Sequence, residues 1–284
     1  MCSSTILVKR VVNSVPDTYR YNGNTYVRRS KSEARVGAAI AMAASALIYK
    51  ALPPFSNPFL RQMKKEHANN ELYKDAFIRA VDLSGLKKKG LQIQHMEFLP
   101  GEINLPREKV PNYDVKKGLN AFFSPKNKVI ALNTNKASIS GFHELGHAMN
   151  NMSGKFGKIL QRLRGPGYWI AGIMGMIAMY SRPKPKDAPR NTMDWVQDNC
   201  AAIAVAGMLP TVAEEALASY KGIQMAKKAG LADNVIKNLK KFYSKALLSY
   251  AGYAAITGIS VYAVNKIMET FTRPQKVEDQ QIYY

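Results

Sequence analysis

One five-residue stretch constrains this chain more than any other: His143-Glu144-Leu145-Gly146-His147. Residues four apart in a helix share one face, so both imidazoles can bind a single metal ion. The glutamate that follows the first histidine is placed to take a proton from a metal-bound water. The chain has only four histidines, which makes a chance pairing at this spacing a poor explanation. The stretch therefore predicts a zinc-binding helix, with His143 and His147 as ligands and Glu144 as general base.

A catalytic zinc usually has three protein ligands, so a third is needed. Glu215 is the best candidate, because its carboxylate lies near the start of a later predicted helix. Ala218, three residues on, is small enough to let that helix approach the histidine helix closely. Asp194 and Asp198 are weaker candidates, since they lie at the far end of a predicted hydrophobic hairpin.

Several nearby residues have simpler interpretations. His67 and His95 lie upstream among charged or strand residues, and we expect them to be ordinary histidines. Thr211-Val212-Ala213-Glu214 matches the capping-box pattern, so Glu214 is predicted to start a helix rather than bind metal. Cys2 and Cys200 are too few for a disulfide framework or a cysteine zinc site.

The secondary-structure signals are mainly helical, with short strands. Apolar residues at helical spacing predict a helix over 69–83. A hairpin is expected around Asn22-Gly23-Asn24, and a second is expected around residues 124–128, just before the metal helix. The edge of that second hairpin could pair with an extended peptide and lay it over the metal. The fold class is therefore predicted as α+β, mainly α with a small hairpin or sheet.

The chain is strongly basic, with 41 Lys and Arg against 20 Asp and Glu. The basic residues are scattered, and no zinc-finger, RRM or helix-turn-helix signature is present, which argues against nucleic acid. The apolar residues gather into blocks between basic loops instead. This pattern favours a multi-pass membrane protein in contact with lipid, with its catalytic part on the cytoplasmic side. No feature of the sequence indicates an oligomeric state.

Ala246–Val264 is the best candidate for a membrane span, because it carries no charge between Lys245 and Lys266. A span needs about 20 apolar residues, and the alternative is a buried helix of a soluble protein. The apolar blocks at 36–52, 167–180 and 200–209 are shorter.

The predicted organisation is a basic segment (1–35), a membrane or core helix (36–52), a catalytic part (55–165), a hydrophobic helical hairpin (166–213), the helix of the third ligand (214–245), a transmembrane helix (246–265) and a tail (266–284).

Taken together, these motifs resemble the membrane-embedded gluzincin peptidases of the M48 type, such as the CAAX prenyl protease, HtpX and OMA1. The resemblance rests on Asn120-Ala121-Phe122, the hairpin, His143–His147, the hydrophobic pair and Glu215-x-x-Ala218, over residues 115–222. It implies a membrane-associated zincin that cleaves proteins, with His143, His147 and Glu215 as zinc ligands and Glu144 as base. Where the family has an Asp that supports a ligand histidine, this chain has Ser219, a weaker acceptor.

The sequence thus predicts a zinc-dependent membrane endopeptidase acting on protein or peptide substrates. Tyr220 is a candidate for stabilising the transition state. Two alternatives remain: a zinc-binding membrane scaffold without activity, and a site-2-type intramembrane protease. The second expects an Asp-Gly ligand motif, which this chain lacks.

Overall fold

The computed structural model describes residues 18–51, 71–95, 120–134, 139–180, 183–185 and 188–277. The chain divides into two compact units, the first formed by residues 1–50, 172–203 and 258–284 and the second by residues 51–171 and 204–257. Its elements in chain order are β1 (Thr18–Tyr21), β2 (Asn24–Val27), α1 (Lys31–Ala51), α2 (Glu71–Leu83), β3 (Gln92–His95), β4 (Ala121–Ser124), β5 (Val129–Leu132), α3 (Ile139–Ser153), α4 (Lys155–Tyr180), α5 (Thr192–Asp198), α6 (Cys200–Lys228), α7 (Asp233–Thr272) and β6 (Gln275–Val277).

The first unit contains an antiparallel sheet in the order β1-β2-β6. The predicted hairpin is confirmed: Asn22 and Gly23 connect β1 to β2 and both have positive φ angles, of 49° and 77°. Such turns match the twist of the two strands that they join. The final strand pairs Val27 with Gln275, so part of the predicted tail contributes to this sheet.

The second unit contains a sheet in the order β3-β5-β4, with β3 parallel and β4 antiparallel to β5. The predicted hairpin at 124–128 is confirmed as the β4–β5 connection. The four residues of β5 are all buried, and β4 lies at an edge of the sheet among the described strands. Helices α2 and α3 pack on this sheet, and Phe77 and Phe142 meet edge to face in the shared core. The sheet and α2 therefore fix the position of the predicted metal helix.

Small residues let α6 lie very close to α3. A Cβ atom on Gly146 would lie 1.9 Å from the carbonyl oxygen of Ala218, and one on Gly222 would lie 2.4 Å from that of Phe142. Because residue numbers rise along one helix and fall along the other at these two contacts, the helices are antiparallel. The predicted role of Ala218 in a close approach is confirmed.

Helix α6 also packs closely on α4. A Cβ atom on Gly167 would lie 2.0 Å from the carbonyl oxygen of Gly207. Both helices contain a proline near this contact, Pro166 in α4 and Pro210 in α6. Helix α6 continues through Pro210, so it begins at Cys200 rather than at residue 214 as expected. It ends at Lys228, before Gly230 with a φ angle of 80°, and not at residue 245.

Among the described helices, α6 and α7 are long and apolar enough to cross a membrane. In each helix, 39% of the most apolar window is buried inside the protein. The predicted span Ala246–Val264 is the middle of the 40-residue helix α7 rather than a separate helix. The chain is therefore mainly helical, as predicted, with two small sheets.

Candidate metal centre

Helix α3 brings the two histidines of the motif together. The Nε2 atoms of His143 and His147 lie 3.0 Å apart, and their ring centroids lie 4.5 Å apart. Both rings point toward α6, because Gly146 lies between them and allows that helix to approach. The i, i+4 spacing has the effect that the sequence predicts.

Glu215 completes a triangle with these two nitrogens. Its Oε2 atom lies 3.1 Å from Nε2 of His143 and 3.5 Å from Nε2 of His147. Ligands at 2.0–2.2 Å from a tetrahedral zinc ion are separated by about 3.3–3.6 Å. The three atoms of the triangle are therefore spaced much as zinc ligands are, and they come from the three residues that the sequence predicts.

Glu214 is the main correction to the sequence analysis. It does not cap a helix, because it lies inside α6 and is completely buried. Its Oε1 atom lies 2.9 Å from Nδ1 of His147 and accepts hydrogen bonds from the side-chain amides of Asn150 and Gln161. A carboxylate on the second ring nitrogen of a metal-binding histidine fixes the tautomer and the ring orientation. Glu214 thus holds Nε2 of His147 toward the triangle.

Arg164 of α4 contacts both glutamates. Its Nη1 atom lies 2.9 Å from Oε2 of Glu214, and its Nη2 atom lies 3.0 Å from Oε1 of Glu215. The contact of Gly167 with Gly207 brings this part of α4 against α6. No sequence pattern indicates this role, because Arg164 is one of many scattered basic residues.

His143 has different support from His147. The Oγ atom of Ser219 lies 3.2 Å from its Nδ1 atom. The ring of Tyr243, on α7, lies 5.3 Å from the ring of His143, and the Tyr243 hydroxyl donates to the carbonyl oxygen of Ile139. Ser219 therefore supports His143 with a neutral hydroxyl.

Glu144 is held apart from the triangle. Its Oε2 atom accepts a hydrogen bond of 2.9 Å from the backbone N–H of Phe123 in β4. Burial raises the pKa of Glu144, although the nearby rings of His147 and His143 and the Phe123 N–H lower it.

The oxygens of the three glutamates are not equally available to a metal. Two overlapping groups could hold a cation, one formed by His143, Glu144 and His147 and the other by His147, Glu214 and Glu215. Both oxygens of Glu214 have other partners, and Oε2 of Glu144 is occupied by a backbone N–H. Oε2 of Glu215 faces both imidazoles. His143, His147 and Glu215 are thus the set best placed to bind a metal.

The charges of the centre also suit a cation. Three carboxylates lie at the centre: those of Glu214 and Glu215 are buried and contact Arg164, and that of Glu144 is half-buried and contacts the Phe123 N–H. Burial alone would lower the pKa of His147, but the hydrogen bonds to Glu214 and Glu215 raise it to about 10. The excess negative charge therefore attracts positive charge to the imidazoles, either a proton or a metal ion.

The other predicted candidates lie elsewhere. Asp194 caps α5 in a reciprocal pair with Asn191, and Asp198 pairs with Arg190. His95 contacts Thr134, and His67 lies outside the described residues. Tyr220 is 59% exposed, whereas Tyr243 lies against His143. Sequence reasoning missed the supporting residues Asn150, Gln161, Arg164, Glu214 and Tyr243.

No family model, no curated protein and no solved structure matches this chain. The interpretation of the centre therefore depends on its own geometry and on its sequence motif.

Proposed function

We propose that the chain is a zinc-dependent membrane endopeptidase of the gluzincin type, similar to the M48 peptidases. The observation that carries this proposal is the triangle formed by Nε2 of His143, Nε2 of His147 and Oε2 of Glu215, with sides of 3.0, 3.1 and 3.5 Å. Two imidazoles and one carboxylate are the ligand set of several catalytic zinc sites. The second support is Glu144, which lies beside the triangle without belonging to it.

In this proposal His143, His147 and Glu215 hold the metal. A zinc ion supplies acidification of a water molecule and polarisation of a peptide carbonyl. Glu144 accepts the proton of the attacking water and later passes it to the leaving amine. The Phe123 N–H keeps one oxygen of Glu144 fixed, so the other is free to face the water. Glu214 and Ser219 keep the imidazoles oriented.

Strand β4 is the expected binding site for the peptide. It lies at an edge of its sheet among the described strands, and the Phe123 N–H points toward Glu144. The N–H and C=O groups of successive residues in a strand point to alternate sides. Ala121, two residues before Phe123, therefore presents its N–H and C=O on that same side. An extended substrate that pairs with this edge would lie beside the base. We therefore expect extended segments of protein substrates, rather than folded surfaces.

The proposed setting is a membrane, crossed by α6 and α7. Large apolar side chains are exposed along the helices, among them Trp169 on α4 at 75% and Leu248 on α7 at 61%. A lipid environment would accommodate these exposed apolar side chains, which water would not favour. The metal centre uses residues of α6, so we expect cleavage close to the membrane surface. We place the catalytic part on the cytoplasmic side, as the basic loops indicate.

The experiment that tests the proposal is Glu144→Gln in the full chain, purified in detergent. Gln has the same size but cannot accept the proton, so peptide cleavage should fall at least about 10²-fold while zinc content is unchanged. His143→Ala should lose zinc together with activity, since two protein ligands remain. Cleavage is measured on denatured protein substrates, and zinc by elemental analysis. If Glu144→Gln cleaves as fast as the parent chain, the zinc site is a structural scaffold and the peptidase proposal is wrong.

A further inference from the structure

Glu214 and Glu215 are adjacent and chemically identical, yet they face different partners. Oε1 of Glu214 lies 2.9 Å from Nδ1 of His147, on the side of that ring away from the triangle. Oε2 of Glu215 lies 3.1 Å from Nε2 of His143, inside the triangle. One carboxylate thus supports a histidine, while the other is available to a metal.

A single guanidinium occupies the two remaining oxygens. Nη1 of Arg164 contacts Oε2 of Glu214 at 2.9 Å, and Nη2 contacts Oε1 of Glu215 at 3.0 Å. Each glutamate therefore has one oxygen in contact with Arg164 and the other in contact with a histidine. The guanidinium is planar, and its two terminal nitrogens have a fixed spacing. It can therefore fix two carboxylates at once, which an ammonium group on a flexible stem cannot do as well.

We propose that Arg164 is a positioning residue that determines which of the two glutamates binds the metal. By holding Oε2 of Glu214 and Oε1 of Glu215, it directs Glu214 to His147 and Glu215 to the triangle. This inference rests on the proposed function, because it concerns the ligands of the same metal.

In the alternative arrangement, Glu214 would bind the metal. Ligand atoms of His147, Glu214 and Glu215 all lie within 4.8 Å of one another, so Glu214 could itself bind a cation at this place. Without Arg164, two buried carboxylates would repel each other, and a bound metal would attract both. Glu214 would then leave His147 and compete with Glu215. The guanidinium neutralises part of this charge and also fixes the direction of each side chain.

The position of Arg164 is itself well defined. It lies one turn before Gly167, whose backbone packs against that of Gly207. Gln161, one turn earlier on α4, donates to Oε1 of Glu214 and to the carbonyl oxygen of His147. Helix α4 therefore contributes a second contact on the same carboxylate. Arg162, two residues from Arg164, is exposed and lies outside this cluster, so it offers a matched control.

The experiment uses the full chain in detergent, with Zn²⁺ and Co²⁺ as probes. Zn²⁺ affinity is measured by competition with a chelator, and the visible absorption spectrum of the Co²⁺-loaded protein reports the ligand set. Arg164→Gln should weaken Zn²⁺ binding about 10- to 100-fold and change the Co²⁺ spectrum. Arg164→Lys should also bind more weakly than the parent, because it keeps the charge but not the two-pronged contact. Arg162→Gln should match the parent in both measurements.

A double variant separates positioning from a general structural role. In Arg164→Gln with Glu214→Gln, residue 214 can no longer compete as an anionic ligand, and no unpaired charge remains there. The Co²⁺ spectrum should return to that of the parent, while Zn²⁺ affinity stays lower. The proposal is overturned if Arg164→Gln keeps the parent's affinity and spectrum, or if the double variant keeps the altered spectrum. If the parent chain binds neither ion, the proposed function fails as well, and that result is distinct from a failure of Arg164 alone.

Discussion

At the scale of single residues, the two histidines of the centre are supported by groups of different strength. His147 faces the charged Glu214, which is completely buried, whereas His143 faces the hydroxyl of Ser219 at 3.2 Å. Hydrogen bonds to charged groups are roughly twice as strong as neutral ones. The orientation of His147 should therefore depend more on its partner than that of His143 does.

This difference predicts the effect of Ser219→Ala. Removing the hydroxyl costs one neutral hydrogen bond, of about 1 kcal/mol, so zinc affinity should fall about 5-fold. Glu214→Gln removes a charged acceptor and should lower zinc affinity about 10- to 100-fold. Both affinities are measured by chelator competition on the folded protein. An equal or larger loss for Ser219→Ala would contradict the assignment of Glu214 as the stronger support.

At the scale of elements, the centre depends on how closely α3 and α6 approach. Gly146 lies inside the metal motif, and its missing side chain leaves room for the Ala218 carbonyl. This contact places His143 and His147 of α3 opposite Glu214 and Glu215 of α6. His143–His147 thus contains two of the proposed ligands and the small residue that lets the third, Glu215, come close to them.

Gly146→Ala should therefore separate the two helices. Its Cβ atom would lie 1.9 Å from a backbone oxygen, which cannot move without shifting α6. We expect a loss of about 2 kcal/mol or more in the free energy of unfolding, together with loss of bound zinc. Unfolding is followed by heating in detergent, and zinc by elemental analysis.

The matched control is Gly175→Ala on α4, where nothing lies within 4 Å of an added Cβ atom. It should leave zinc unchanged and leave stability unchanged or raised by up to about 1 kcal/mol, since Ala favours helix over Gly. Similar behaviour of the two variants would show that the contact of Gly146 with Ala218 does not hold the centre together.

At the scale of the whole molecule, two long apolar helices are the basis of the proposed membrane setting. Helices α6 and α7 have the length and hydropathy of a span, and 39% of the most apolar window of each is buried inside the protein. The chain should therefore remain in the membrane pellet after extraction with carbonate at high pH and should require detergent for release. Recovery in the supernatant without detergent would contradict this prediction.

A pair of variants tests which helix surface faces lipid. Ile259 on α7 is 49% exposed within the predicted span, and Ile78 on α2 is 45% exposed outside it. Lysine at the centre of a span costs about 3 kcal/mol in membrane insertion, while lysine on a surface in water costs little. Ile259→Lys should reduce the membrane-integrated fraction, and Ile78→Lys should not.

The sequence by itself determined the residues that form the triangle. The spacing of His143 and His147 depends only on helix geometry, and Ala218 beside Glu215 indicated a close helix contact. The hairpins around Asn22-Gly23 and at residues 124–128 were equally predictable, because local turn chemistry specifies them. These features depend on residues close together in the chain.

The tertiary structure alone decided the roles of the supporting residues. Glu214 matches a local capping pattern, and only the continuation of α6 through Pro210 shows that it lies in a helix and faces His147. Arg164 is 50 residues away from Glu214, and no local pattern distinguishes it from the other scattered basic residues. Its partners are set by the packing of Gly167 on Gly207. The proposed ligands follow from short-range periodicity, whereas the groups that orient them follow from how whole helices pack.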